Sequence, residues 1–113
     1  MQLEMRRVIL FTPDIDIMAK FYRDVIGLEL VGSEEGWREF SAVPCKIALH
    51  SGNSSIGSRP PKLVFYASDV AAARTALIKR GAKGIGKVMS AGSFEMCNGK
   101  DPDGNPFQIS SRN

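Results

Sequence analysis

Two cations stand at matching places in this chain. Arg7 opens the segment Arg7-Val-Ile-Leu-Phe-Thr-Pro-Asp14, and Lys62 opens Lys62-Leu-Val-Phe-Tyr-Ala-Ser-Asp69, 55 positions later. Each segment reads as an apolar strand running into an acidic helix start. Strand side chains alternate, so Val8 and Leu10 pack to one side while Arg7, Ile9 and Phe11 face the other. By the repeat, Leu63 and Phe65 pack outward and Lys62, Val64 and Tyr66 face inward. An arginine grips a carboxylate or phosphate through two parallel hydrogen bonds, and a lysine adds a point charge. Phe11, Tyr66 and Trp37 would supply aromatic walls to such a cleft. Both cations also admit a structural reading: at strand starts they reach solvent or pair with acids such as Glu95 or Asp101. Trp37 reads equally as core or dimer packing. His50, the single histidine, is either a solvated strand-end residue or a catalytic group.

The remaining reactive side chains say less. Asp101 and Asp103 form an acid pair, but beside Pro102 and Gly104 they read as turn-formers. Cys97 would be a nucleophile only with a lowered pKa, and no base adjoins it in sequence. Two cysteines, Cys45 and Cys97, are too few for a disulfide framework and read as buried free thiols.

Composition narrows the classes of function. At 113 residues the chain has the length of one domain, and its 43% hydrophobic content is too high for disorder. Its 15 cations are interleaved with 12 acids rather than gathered in a stripe, which speaks against nucleic acid. No apolar run approaches the ~20 residues that span a bilayer. Met1-Gln-Leu-Glu-Met-Arg-Arg7 leads directly into a strand with no secretory apolar region, so a cytoplasmic protein is expected.

The elements that position these residues follow from periodicity. After the first strand, Asp14 caps a helix whose apolar face is Ile17, Phe21 and Val25, with Met18 and Tyr22 beside them. Gly27 stops it. Strands are expected at Leu28–Val31, Trp37–Ala42 and Lys46–His50, with a turn over Gly32–Gly36. Residues 51–61 form a polar linker. The second half repeats the plan: strand Leu63–Tyr66, a helix capped by Ser68 or Asp69 and ending near Arg80-Gly81, then strands Ile85–Met89, Phe94–Asn98 and Pro106–Ser110. The expected class is α+β: two βαβββ modules, about 1–50 and 62–113, in one domain spanning 1–113. They would form a curved, cup-like mixed sheet with helices outside, around a pseudo-twofold axis that carries a cleft.

The chain resembles the vicinal oxygen chelate superfamily, the group of glyoxalase I, bleomycin-resistance proteins and extradiol dioxygenases. The resemblance lies in Phe21-Tyr-Arg-Asp-Val-Ile-Gly-Leu-Glu-Leu30, Gly36-Trp37-x-x-Phe40, Ile47-Ala-Leu-His50 and Asp101-Pro-Asp-Gly-Asn-Pro-Phe-Gln108, which appear in the family's order over almost the whole chain. It implies a metal held at the inward start of each module's first strand and inward on its last strand. Those places are Arg7, Ala48, Lys62 and Gln108. A divalent ion needs imidazole or carboxylate donors, usually three or more. Arg7 has no lone pair to give, Lys62 is a cation, Ala48 offers nothing and Gln108 is a lone weak oxygen. The metal chemistry of the family is therefore expected to be absent, with no cofactor. The rival is a site of different geometry joining His50 to Glu39, Glu95 or Cys97.

The leading expectation is a metal-free protein that binds a small anionic or carbonyl-bearing ligand through Arg7, Phe11, Lys62, Tyr66, Gln108, Trp37 and His50. Bleomycin-type drugs are cationic and match two cations poorly, so a bound drug should be neutral or anionic. One alternative is a lyase, isomerase or dioxygenase using a noncanonical metal, or Lys62 and Tyr66 as acid-base groups with Lys62 desolvated. Another is an interaction module whose cup is filled by its own side chains. A homodimer is expected, because open curved sheets with apolar edges need cover.

Overall fold

The computed structural model describes all of residues 1–113. The chain divides into two compact units, Met1–Ser55 and Ile56–Asn113. The division falls inside the polar segment 51–61.

In the first unit, β1 (Arg7–Thr12) leads into α1 (Ile15–Lys20), followed by β2 (Glu29–Glu34), β3 (Trp37–Ala42) and β4 (Cys45–Ser51). The four strands form one sheet in the order β1-β4-β3-β2. β1 runs parallel to β4, and the other pairs are antiparallel. Asp14 caps α1, its carboxylate accepting from the Ile17 amide at 3.1 Å, as an acid at a helix start should. The helix does not stay α-helical: Phe21–Ile26 forms a π-helical turn. Gly27, at φ 90°, bends the chain so that its own amide and that of Leu28 both reach the Tyr22 carbonyl, at 3.1 and 2.9 Å. That closing pattern opens the last turn beyond the usual i to i+4 spacing. The buried seam also differs from the expected one. Met18 and Tyr22 are fully buried, whereas Ile17 is 55% exposed. The sheet meets the helix on the Met18–Tyr22 side, where the Tyr22 ring lies 6.3 Å from that of the buried Phe40.

The second unit repeats this order with β5 (Leu63–Tyr66), α2 (Val70–Lys79), β6 (Met89–Ser90), β7 (Glu95–Lys100) and β8 (Pro106–Ser110). Its sheet runs β5-β8-β7-β6, again with one parallel pair, β5 and β8. Asp69 caps α2 by accepting from the Ala72 amide at 3.0 Å. Val70 and Leu77 of the helix and Cys97, Phe107 and Ile109 of the sheet are buried. Gly99 makes this packing possible, because a Cβ there would come 2.5 Å from the Phe107 ring.

The α+β architecture and the βαβββ order agree with expectation. Strand ends differ where glycine was read as a stop. β2 runs on through a bulge between Leu30 and Gly32, leaving a turn of only Glu35 and Gly36. The expected strand Ile85–Met89 shrinks to Met89–Ser90. Residues before it satisfy their backbone singly instead: the Gly86 amide donates to the Asn98 carbonyl and Arg74 donates to the Gly86 carbonyl. No helix is long and apolar enough to cross a membrane.

Candidate functional site

Each sheet has one face covered by its helix and one open face. In the first unit the alternation of β1 places Val8 and Leu10 toward the helix and leaves Arg7, Ile9 and Phe11 on the open side. The register sets Phe11 and Trp37 opposite His50, and Glu39 opposite Ala48. Arg7 does not stand free there. Its Nε donates to Glu39 Oε2 at 2.6 Å, and Lys46 Nζ lies 3.9 Å from Oε1 of the same carboxylate. Glu95 and Asp101, the acids suggested by sequence, are not its partners. Asp101 accepts from the Asp103 and Asn105 amides within its own turn, and the Glu95 amide bonds Ser111. The Glu39 side chain is only 12% exposed against 40% for Arg7, so the anion is anchored and the guanidinium reaches outward. The bond uses Nε alone, which leaves the terminal nitrogens for a ligand.

Three of the aromatic candidates gather on this face. The Phe11 and His50 rings are 5.3 Å apart, and the Trp37 ring meets His50 edge-on at 6.0 Å. His50 Nδ1 lies 2.8 Å from the Ser51 carbonyl. A carbonyl only accepts, so Nδ1 carries the proton and Nε2 of the neutral ring keeps its lone pair. Trp37 is half-buried, while Phe11 is 51% exposed. A phenyl ring that open, beside the exposed Ile9, gives an apolar surface that none of the unit's own side chains fills.

In the second unit Lys62, Tyr66 and Gln108 lie on or at the edge of the open face. Asn98 joins two of them: its Oδ1 accepts from Lys62 Nζ at 3.1 Å and from Gln108 Nε2 at 3.0 Å. Tyr66 stands apart, opposite Ser110. Four residues of strand rise separate it from Lys62, about 13 Å between Cα atoms, so the two do not form one acid-base pair. Lys62 is also exposed.

The donor set does not fit a divalent cation. Of the four places implied by family likeness, Arg7 is in an ion pair, Ala48 is a buried methyl, Lys62 is a cation, and Gln108 turns its amide nitrogen to Asn98. Nowhere do three His, Cys, Asp or Glu side chains gather. Two members of the alternative set around His50 are engaged within their own units. Glu39 is held by Arg7 and Lys46, and Cys97 is buried on the covered face of its own sheet, paired with Ile109. Burial pushes the Cys97 thiol up, against the opposing effect of Arg74, which disfavours a thiolate nucleophile. Cys45 is only half-buried, unlike the expected buried thiol.

Glu39 and Asn98 were the residues whose roles sequence reasoning missed. The signal for Glu39 was present: in the alternation of Trp37–Ala42 it shares a phase with Trp37. Asn98 shares its phase with Met96 and Lys100 in the same way.

The sequence over residues 5–109 matches the family model described as the Glyoxalase/Bleomycin resistance protein/Dioxygenase superfamily. No curated protein sequence matches the chain. Among solved structures, a glyoxalase/bleomycin resistance protein/dioxygenase from Nocardioides superposes with a TM-score of 0.82 at 16% identity, covering 97% of this chain and 83% of the other. A lactoylglutathione lyase from Agrobacterium tumefaciens gives 0.76 at 21% identity, over 95% and 92%. TnmS3, an antibiotic-binding protein from Streptomyces, gives 0.75 at 19% identity, over 96% and 94%. At these identities the likeness is one of fold.

Proposed function

The chain belongs to the Glyoxalase/Bleomycin resistance protein/Dioxygenase superfamily, and we propose that it binds a small anionic or carbonyl-bearing organic molecule on its open sheet faces without using a metal. One observation carries this reading. In both units the cation that opens the first strand is tethered by a polar side chain of the middle strand, Arg7 by Glu39 and Lys62 by Asn98. Tethered cations on the same faces as exposed aromatic rings, Phe11 and Tyr66, make surfaces with charge, hydrogen-bond donors and apolar area. A neutral or anionic compound suits it better than a cationic one. The exposure of Phe11 and Tyr66 also speaks against faces filled by their own side chains. The antibiotic-binding relative supports small-molecule capture as a use of this fold.

A thermal-shift screen of small carboxylates, phosphates and neutral aromatic drugs is expected to return a stabilising ligand. Arg7→Gln or Lys62→Ala should weaken that ligand about tenfold, the scale of one lost charge-assisted hydrogen bond. Gln at position 7 keeps a donor for Glu39, which separates ligand loss from local collapse. Hits that ignore both substitutions would make the cations structural and end this reading.

A further inference from the structure

We propose a second site in the second unit, which shares only Lys62 with the sheet face: a cationic cleft that takes the phosphate group of a small phosphate monoester. The cleft holds about 390 Å³ and lies between the irregular segment before β5 and the turn joining β7 to β8. Arg59 comes from the segment, Lys62 from the entry to β5 and Lys100 from the end of β7. No carboxylate belongs to its lining. None of the three cations takes part in an ion pair, although Arg6, Arg7, Arg23, Arg38 and Lys46 all do.

Three cations around one concavity, none in an ion pair and Lys62 held only by the neutral Asn98, give the cleft a positive potential. The backbone holds them together despite that repulsion. Asp101 locks the turn that follows Lys100, accepting from the Asp103 and Asn105 amides at 3.0 and 2.9 Å. Ile56 lies near this turn, its Cδ1 3.8 Å from where a Cβ on Gly104 would be. Pro60 and Pro61 then restrict the backbone between Arg59 and Lys62. The site is therefore shaped before any ligand arrives.

The charge and the space select the ligand. A phosphate monoester carries close to two negative charges near neutral pH and presents oxygens to both the Arg59 fork and the lysine ammonium groups. The volume falls in the range of small-molecule clefts, roughly 300–1,000 Å³, and leaves room for more than a bare oxyanion. Ile56, Pro60 and Pro106 line it with apolar surface suited to the ester's organic part.

Titration calorimetry at low salt tests this with phenyl phosphate, phenol and inorganic phosphate as probes. Phenyl phosphate should bind, inorganic phosphate should bind more weakly, and phenol should not bind at the cleft. Arg59→Ala and Lys100→Ala should each weaken phenyl phosphate about tenfold or more. Lys79→Ala, which removes an exposed cation at the end of α2, should leave binding within about twofold. Added salt should weaken the interaction. Phenyl phosphate binding that survives the Arg59→Ala/Lys100→Ala double substitution would overturn the site. So would phenol binding as well as its phosphate, and equal affinity for inorganic phosphate would overturn the monoester assignment. Lys62 is shared with the sheet-face proposal, so the two are separated by Arg59 and Lys100, which belong to the cleft alone, and by Arg7, which belongs to the sheet face alone.

Discussion

Phe107→Ala should lower the free energy of unfolding by about 3–5 kcal/mol, the range for removing a buried aromatic ring. Phe107 is 1% exposed at the middle of the second unit's covered face, with the Phe65 ring 6.4 Å away. The upper part of the range is expected because of what lies across the strand pair. Phe107 is opposite Gly99, and its ring occupies the space where any other residue would place a Cβ. With the ring gone, Gly99 has no side chain to relax into the void, so little of the cavity can close. Denaturant unfolding monitored by circular dichroism measures the loss. A change below about 1 kcal/mol would show that this face is not packed as described.

The second large effect belongs to the turn that shapes the cationic cleft. Asp101 is 5% exposed, and its carboxylate accepts three hydrogen bonds, the third from Asn105 Nδ2 at 2.8 Å. Asp101→Ala leaves those donors without their acceptor at a site where water reaches poorly. At about 1–3 kcal/mol for a buried group left unsatisfied, and with partial rescue by water, a loss of about 2–4 kcal/mol is expected. Asp101→Asn keeps one acceptor oxygen and should lose roughly half as much. The same change should weaken phenyl phosphate binding, because Lys100, Gly104 and Pro106 depend on this turn for their placement. An Asp101→Ala protein of native stability would contradict the hydrogen-bond account.

Much of the fold could be read from local pattern because the relevant physics is local. Alternation in Val8–Phe11 fixes which side chains meet the helix, and the caps Asp14 and Asp69 need only their own next turn. The strands Trp37–Ala42, Leu63–Tyr66 and Pro106–Ser110 have the ends their sequence suggests. Tether residues are a different matter. Glu39 meets Arg7 only because β4 lies between their strands and β3 pairs with it in one register. Register depends on contacts distant in sequence, so residue type and spacing offer no ground for preferring Glu39 to Glu95 or Asp101 as the partner of Arg7. The cleft around Arg59 is not legible in the sequence for the opposite reason: residues 51–61 carry no periodicity, and Ile56 comes near Gly104 only in the folded unit. The segment 85–89 has apolar residues at Ile85, Val88 and Met89 but forms little strand, because the Gly86 backbone is bonded to Asn98 and Arg74.

Arg7 and Lys62, held by Glu39 and Asn98, occupy two of the places where family likeness implies metal ligands, and the proposal is that they bind a ligand by charge instead. Cobalt titration of the metal-stripped protein, followed by visible absorption, addresses it most directly. The account predicts no stoichiometric binding at tens of micromolar cobalt and no ligand-field bands from a protein-bound ion. Stoichiometric binding in that range would contradict it.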